Sequence, residues 1–163
     1  MSFYKINNNL ISDFFYLSEG LILIAFFYRV INEKEFYIPA LFLSFSYLIY
    51  GLYTTFIDPG PESYNSNFRT GESLILQAIS AYSLIKISKK EDINLTKDTS
   101  FWLSSGIFIY FSVNLVIFFT ATFLFEDKVY TMSKTWIIHS IINIIANIIF
   151  TFGLLLLPSV KDK

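Results

Sequence analysis

T-W-I-I-H-S-I-I-N-I-I-A-N-I-I-F-T-F-G-L-L-L-L, residues 135–157, is the last apolar run of the chain, and its reading decides the fold. It is long enough to cross a bilayer core as a helix. One polar thread runs down it: Thr135, His139, Asn143, Asn147 and Thr151 recur at every fourth residue. At roughly 100° per residue, a four-residue step drifts by about 40°, so these groups share one slowly winding face. Polar side chains in lipid are costly unless a neighbouring helix meets them. The run therefore predicts a membrane helix with partners, the central packing helix of a bundle.

Composition agrees. Of 163 residues, 54% are hydrophobic and only 15% charged, where a soluble domain carries about 25% charged residues. Mean hydropathy is +0.54, and apolar runs of membrane-spanning length repeat along the chain. The length suits one helical domain over residues 1–163. Aromatics reach 20%, which fits interface belts and tight helix packing. The absence of Cys excludes disulfides, thiolate metal sites and Cys nucleophiles. A net charge of −1 gives no general attraction to nucleic acid. Richness in Ile, Asn, Lys, Phe and Tyr points to an AT-rich bacterial genome.

The predicted fold is all-α, a polytopic bundle of five transmembrane helices at about residues 10–31, 36–57, 71–88, 101–125 and 135–157. The start lacks the basic n-region and cleavage site of a signal peptide. In the first span Glu19 lies near the middle, a costly position offset by the run L-I-L-I-A-F-F-Y. Pro39 opens the second span at a first-turn position, where proline does least harm. D-P-G-P-E-S-Y-N-S-N-F-R-T-G-E reads as the clearest loop. The third span is the weakest, with Ser73, Gln77, Ser80, Ser83 and Lys86, and belongs inside the bundle, away from lipid. The fourth, with Trp102 at its edge and Asn114 near its centre, is the firmest. All four prolines fall at or outside span ends.

Lysine and arginine set the orientation. Lys5, Arg69, Lys128 and Lys134 lie on one side. Arg29, Lys34, Lys86, Lys89, Lys90, Lys97, Lys161 and Lys163 lie on the other. The richer side is cytoplasmic, so the N-terminus is outside and the C-terminus inside.

Counting about 1.5 Å per residue from the span ends gives depth. Glu19, Gln77, Ser80, Asn114, Asn143 and Asn147 then fall roughly 9–18 Å below the outer face, in one layer drawn from four helices. His139 is shallower, near Arg69 and Glu72, which read as an outer-side ion pair three residues apart. Two readings of the layer stand. Amides and hydroxyls act as interhelical glue, worth on the order of 0.6 to 2 kcal/mol per contact. Alternatively the layer is a buried polar site or ion path with Glu19 as its ionisable member. A lone His without Cys or a carboxylate at ligand spacing is a poor metal site. No span carries a central lysine for a retinal Schiff base, and one His excludes bis-His haem within the chain. No metal or other cofactor is therefore expected.

Four stretches carry a resemblance: Y-L-S-E-G (16–20), Y-N-S-N-F-R-T-G-E-S-L (64–74), F-W-L-S-S-G-I-F-I-Y-F-S-V-N-L (101–115) and W-I-I-H-S-I-I-N-I-I-A-N-I (136–148). Together they resemble a group of small uncharacterised integral membrane proteins of Bacteroidetes-type bacteria. Typical members look longer by about two N-terminal spans, so the chain resembles a shortened version. The resemblance implies a bacterial inner-membrane location and no mechanism. It adds weight to Glu19, Arg69, Glu72, Trp102, Asn114, His139 and Asn143.

Three function classes follow. The first is a non-enzymatic membrane component, a signalling, sensory or accessory subunit. It works in the lipid bilayer through a membrane protein partner or a homo-oligomer, and not with nucleic acid. The second is a small oligomeric channel or transporter using the polar layer. The third is a membrane enzyme, which the absence of G-x-S-x-G, H-E-x-x-H, Walker and G-x-G-x-x-G motifs argues against. Short loops and neutral amides favour the first. The lack of a filter-like loop or a ring-forming set of acids weighs against the second.

Overall fold

The computed structural model describes residues 8–57, 66–90, 94–123 and 128–156, and it is all-helical. Five helices follow in order: α1 (Asn8–Ile31), α2 (Lys34–Phe56), α3 (Ser66–Ser88), α4 (Thr99–Phe123) and α5 (Lys128–Leu155). Four of them contain stretches long and apolar enough to cross a membrane: Ile11–Ile31, Phe36–Phe56, Thr99–Phe119 and Trp136–Leu155. Together these suggest a membrane protein. The exception is α3, about 34 Å long at 1.5 Å per residue but rich in serine and charge.

Local sequence explains the boundaries. The α1–α2 connection is Asn32-Glu33, with Asn32 at φ 45°, a left-handed turn that asparagine tolerates better than most residues. Asp98 caps α4: its Oδ1 accepts from the Phe101 N–H at 2.8 Å. The Trp102 indole donates to the Thr96 carbonyl at 3.0 Å.

All five helices begin before the expected apolar spans, and three of these earlier starts change the setting of particular residues. α2 starts at Lys34, so Pro39 lies inside the helix, beyond its first turn. α3 starts five residues before the expected Gly71, and N-F-R-T joins the helix instead of the loop. α5 starts at Lys128, upstream of an apolar stretch that itself begins at Trp136, next to the expected Thr135. Turn-forming residues upstream masked the helical run at α3, and the polar residues between Lys128 and Lys134 set the α5 span start later than its helix.

α3 and α4 form the most extensive contact, with α1 on α3, α2 on α1, and α5 along α4. The core gathers Ile24 and Phe27 of α1, Tyr47 of α2, Phe68, Leu76 and Ile79 of α3, and Ile107 and Phe111 of α4. Small residues bring the helices close. Ser83 and Ser104 share a 3.1 Å hydrogen bond between α3 and α4. Gly20 lies against the Tyr47 ring, where an added Cβ would come within 2.5 Å. Gly106 does the same for Phe150 of α5. Large apolar side chains cover the outside, among them Phe15, Ile22, Ile38, Phe42 and Leu155, as a lipid-facing surface requires.

α5 is peripheral, which corrects the reading of it as the central helix. Its inward seam is His139, Ile142, Ala146, Ile149 and Gly153, spaced alternately by three and four. That spacing tracks a helix–helix contact. The polar thread, spaced by four throughout, winds off the seam.

Candidate functional site

Arg69 is the centre of a buried ionic cluster. It stands one turn into α3, 5% exposed, with Glu72 three residues on and 1% exposed. Its Nη1 bonds the Glu72 carboxylate and lies 3.5 Å from Oε2 of Glu19 on α1, whose side chain keeps 25% exposure. The guanidinium carbon sits 3.2 Å from the Tyr16 ring centroid and 5.3 Å from that of Phe118 on α4. A planar, weakly hydrated cation suits such a place, since an aromatic face and carboxylates replace its water. The Tyr47 hydroxyl of α2 completes the cluster, 2.9 Å from Glu72 Oε1 and 2.9 Å from the Tyr16 carbonyl. One hydroxyl proton thus faces two acceptors, and one guanidinium faces two carboxyl groups.

A second group adjoins it. His139 Nδ1 on α5 is 2.9 Å from Asn114 Oδ1 on α4, so with an amide oxygen as acceptor the ring N–H is at Nδ1 and Nε2 is left as an acceptor. Tyr110 and Trp136 flank the imidazole, with ring centroids at 6.0 and 5.6 Å. The register between α3 and α4 joins the two groups. Ser83 meets Ser104 and Arg69 meets Phe118, so antiparallel stepping puts Ser73 level with Asn114. Both are buried, and Ser73 Oγ and Asn114 Nδ2 have no hydrogen-bond partner among the described residues. All five helices contribute a polar side chain to this region.

The expected residues are therefore sorted differently. Glu19, Asn114 and His139 do gather, with Arg69 and Glu72. That pair is buried inside α3, which begins earlier than expected, and Arg69 reaches Glu19. Gln77 and Ser80 do not join: Ser80 is fully buried but donates to the Gln77 carbonyl of its own helix at 2.9 Å. Asn143 and Asn147 leave the layer altogether. Both are exposed, 3.5 Å apart amide to amide, and the exposed Thr151 donates to the Asn147 carbonyl at 2.8 Å. The side chain of Thr135 lies outside the described residues. Sequence reasoning missed Tyr16, Tyr47 and Tyr110, and named Ser73 only as one of the inward polar residues of the third span. Their phenol or hydroxyl within an apolar or serine-rich stretch was the available signal.

A separate ion pair stands at the other end of the bundle. Lys86 Nζ donates to Glu33 Oε1 at 2.8 Å, and the Tyr82 hydroxyl reaches Glu33 Oε2 at 3.4 Å. The Lys86 hydrogen bond holds the Glu33 carboxyl below its ordinary range. Among the described residues no group of three His, Cys, Asp or Glu is placed to hold a metal ion. No family model, curated protein or solved structure matches the chain.

Proposed function

We propose that the chain is a non-enzymatic, multi-pass protein of a bacterial inner membrane, a signalling, sensory or accessory subunit that works through helix contacts with a partner. In this reading all five helices cross the bilayer, with the N-terminus outside and the C-terminus cytoplasmic. The lysine and arginine bias supports that orientation, and the resemblance to small Bacteroidetes-type membrane proteins supports the location.

The outer face of α5 carries the proposal. Asn143, Asn147 and Thr151 are exposed on a helix apolar enough to sit in lipid. Amides at such positions are costly against hydrocarbon and stabilising against another helix. The ionic cluster then has a supporting role, tying α1, α2 and α3 into the rigid part that presents α5. A photo-reactive residue at Ile148, irradiated in native membranes, tests the reading. An adduct through that position is the expected result, and its absence with intact expression refutes it.

A specific feature favours transport as the second reading: Glu19 is a partly exposed carboxyl beside a buried cation, and intramembrane acids mark ion and proton pathways by default. Proton or cation flux in liposomes, abolished by Glu19→Gln, would put this reading first. Equal leak with and without the protein would remove it.

A further inference from the structure

Two rows of side chains run along the outside of α5. Ile144, Ile148 and Phe152 form one, and Asn147, Thr151 and Leu155 the other. Between them lies an open groove of about 340 Å³. Rows spaced by four residues are the ridges and grooves into which a second helix packs. Asn143 extends the second row toward His139. The contact between Asn143 and Asn147 is long, 3.5 Å, and runs from the Asn147 amide nitrogen to the Asn143 oxygen. Asn143 keeps its N–H donors and Asn147 its carbonyl acceptor.

The chemistry of this face identifies its occupant. From Trp136 to Leu156 there is no Asp, Glu, Lys or Arg. A partner bringing charge here would bury it unpaired in the membrane. A purely apolar partner would leave the amides unmatched. A carboxamide is both donor and acceptor, so its best complement is another carboxamide at the same depth. Copies of one chain insert in the same orientation, and a twofold axis along the membrane normal brings identical residues to identical depth. Asparagine in the seam of a parallel helix pair fixes register and pair number in the same way.

We propose that a second copy of this chain covers the outer face of α5, the two α5 helices lying parallel about a twofold axis with Asn143 and Asn147 each against its counterpart. The inference rests on the reading that α5 docks a helix, and it names which one.

The chain has no cysteine, so single substitutions report without background. Ile144 and Thr151 are outward-facing, so Ile144→Cys and Thr151→Cys are expected to leave the fold undisturbed. Oxidised in native membranes, both are expected to give a covalent species of twice the chain mass. Ile149→Cys, whose side chain packs toward Gly106 of α4, is expected to give none. Adding Asn143→Leu and Asn147→Leu to Thr151→Cys is expected to lower the dimer yield roughly tenfold or more, as the loss of two amide contacts implies. Light scattering of the unoxidised protein in mild detergent is expected to show two chains, and one chain for the Leu variant. Doubled species at Ile149→Cys as readily as at Ile144→Cys would refute the proposed face. An adduct between Ile148 and a different protein, with no doubled species, would overturn the second copy and leave the docking reading standing. Neither product would overturn both.

Discussion

Replacing Arg69 by leucine is the most demanding perturbation of the cluster. The Arg69 side chain is 6% exposed and that of its partner Glu72 is 0% exposed, so neither charge can recover its hydration locally. Removing one member of a buried pair costs about 3–5 kcal/mol, because the survivor is left uncompensated. The guanidinium also lies on the Tyr16 face, and a desolvated contact of that kind contributes about 2 kcal/mol. The Glu19 contact, at 3.5 Å, is too long for a strong hydrogen bond, so it adds at most about 1 kcal/mol. These contributions overlap, since one side chain makes all three. Arg69→Leu is therefore expected to lower stability by about 4–6 kcal/mol, read as helix loss in an SDS titration from bicelles. Adding Glu72→Gln removes the stranded charge, so the double variant is expected to regain at least about 2 kcal/mol of that loss. A single-variant loss under about 1 kcal/mol, or additivity within about 0.5 kcal/mol, would refute the claim that the cluster is a coupled buried unit.

Tyr47→Phe keeps the ring stacked on Phe68, centroids 5.3 Å apart, but takes the donor from Glu72 and the Tyr16 carbonyl; a loss of about 1–3 kcal/mol in the same titration is expected. Gly20→Ala places a methyl 2.5 Å from the Tyr47 ring and is expected to cost about 1–3 kcal/mol, with near-ultraviolet circular dichroism reporting the displaced tyrosine. The Glu33 carboxyl is held low by Lys86, so any stability it adds is complete above the ordinary carboxylate range and lost as pH falls through the lowered value. Glu33→Gln is expected to flatten that acid limb of a pH–stability curve while leaving the neutral plateau nearly unchanged, since both side chains are about a third exposed; an unaltered acid limb would show that the pair contributes nothing.

Apolar runs made the helices legible, because the length and hydropathy of α1, α2, α4 and α5 need no tertiary information. The polar layer was only half legible. Depth was counted from assumed span ends, and α3 begins at Ser66, five residues before the assumed one. At about 1.5 Å per residue that shift is about 7 Å of helix, which takes Arg69 and Glu72 off the surface and within side-chain reach of Glu19. Tyr16 and Tyr47 were hidden for a different reason. Aromatics make up 20% of the chain, and nothing local separates a tyrosine that packs from one that completes a charge cluster.

The polar thread of α5 failed as an inward face because of its own geometry. A four-residue step advances about 40°, so Asn143, Asn147 and Thr151 are turned about 40°, 80° and 120° from His139. Ala146 and Gly153, seven residues apart, stay on the α4 seam with His139 and Ile142. His139 can therefore reach Asn114 while Asn147 and Thr151 turn outward, although all belong to one sequence pattern. The two periods divide the labour of one helix: the 3–4 seam fixes α5 to the bundle, and the 4–4 thread carries hydrogen-bonding capacity off it. Were the thread no more than tolerated polarity, leucine at Asn143 and Asn147 would improve α5 in lipid at no loss. Were it an interface, the same substitutions would leave the α4 seam and the His139–Asn114 bond intact and remove only the association. The difference between those outcomes separates a packing helix from a docking one.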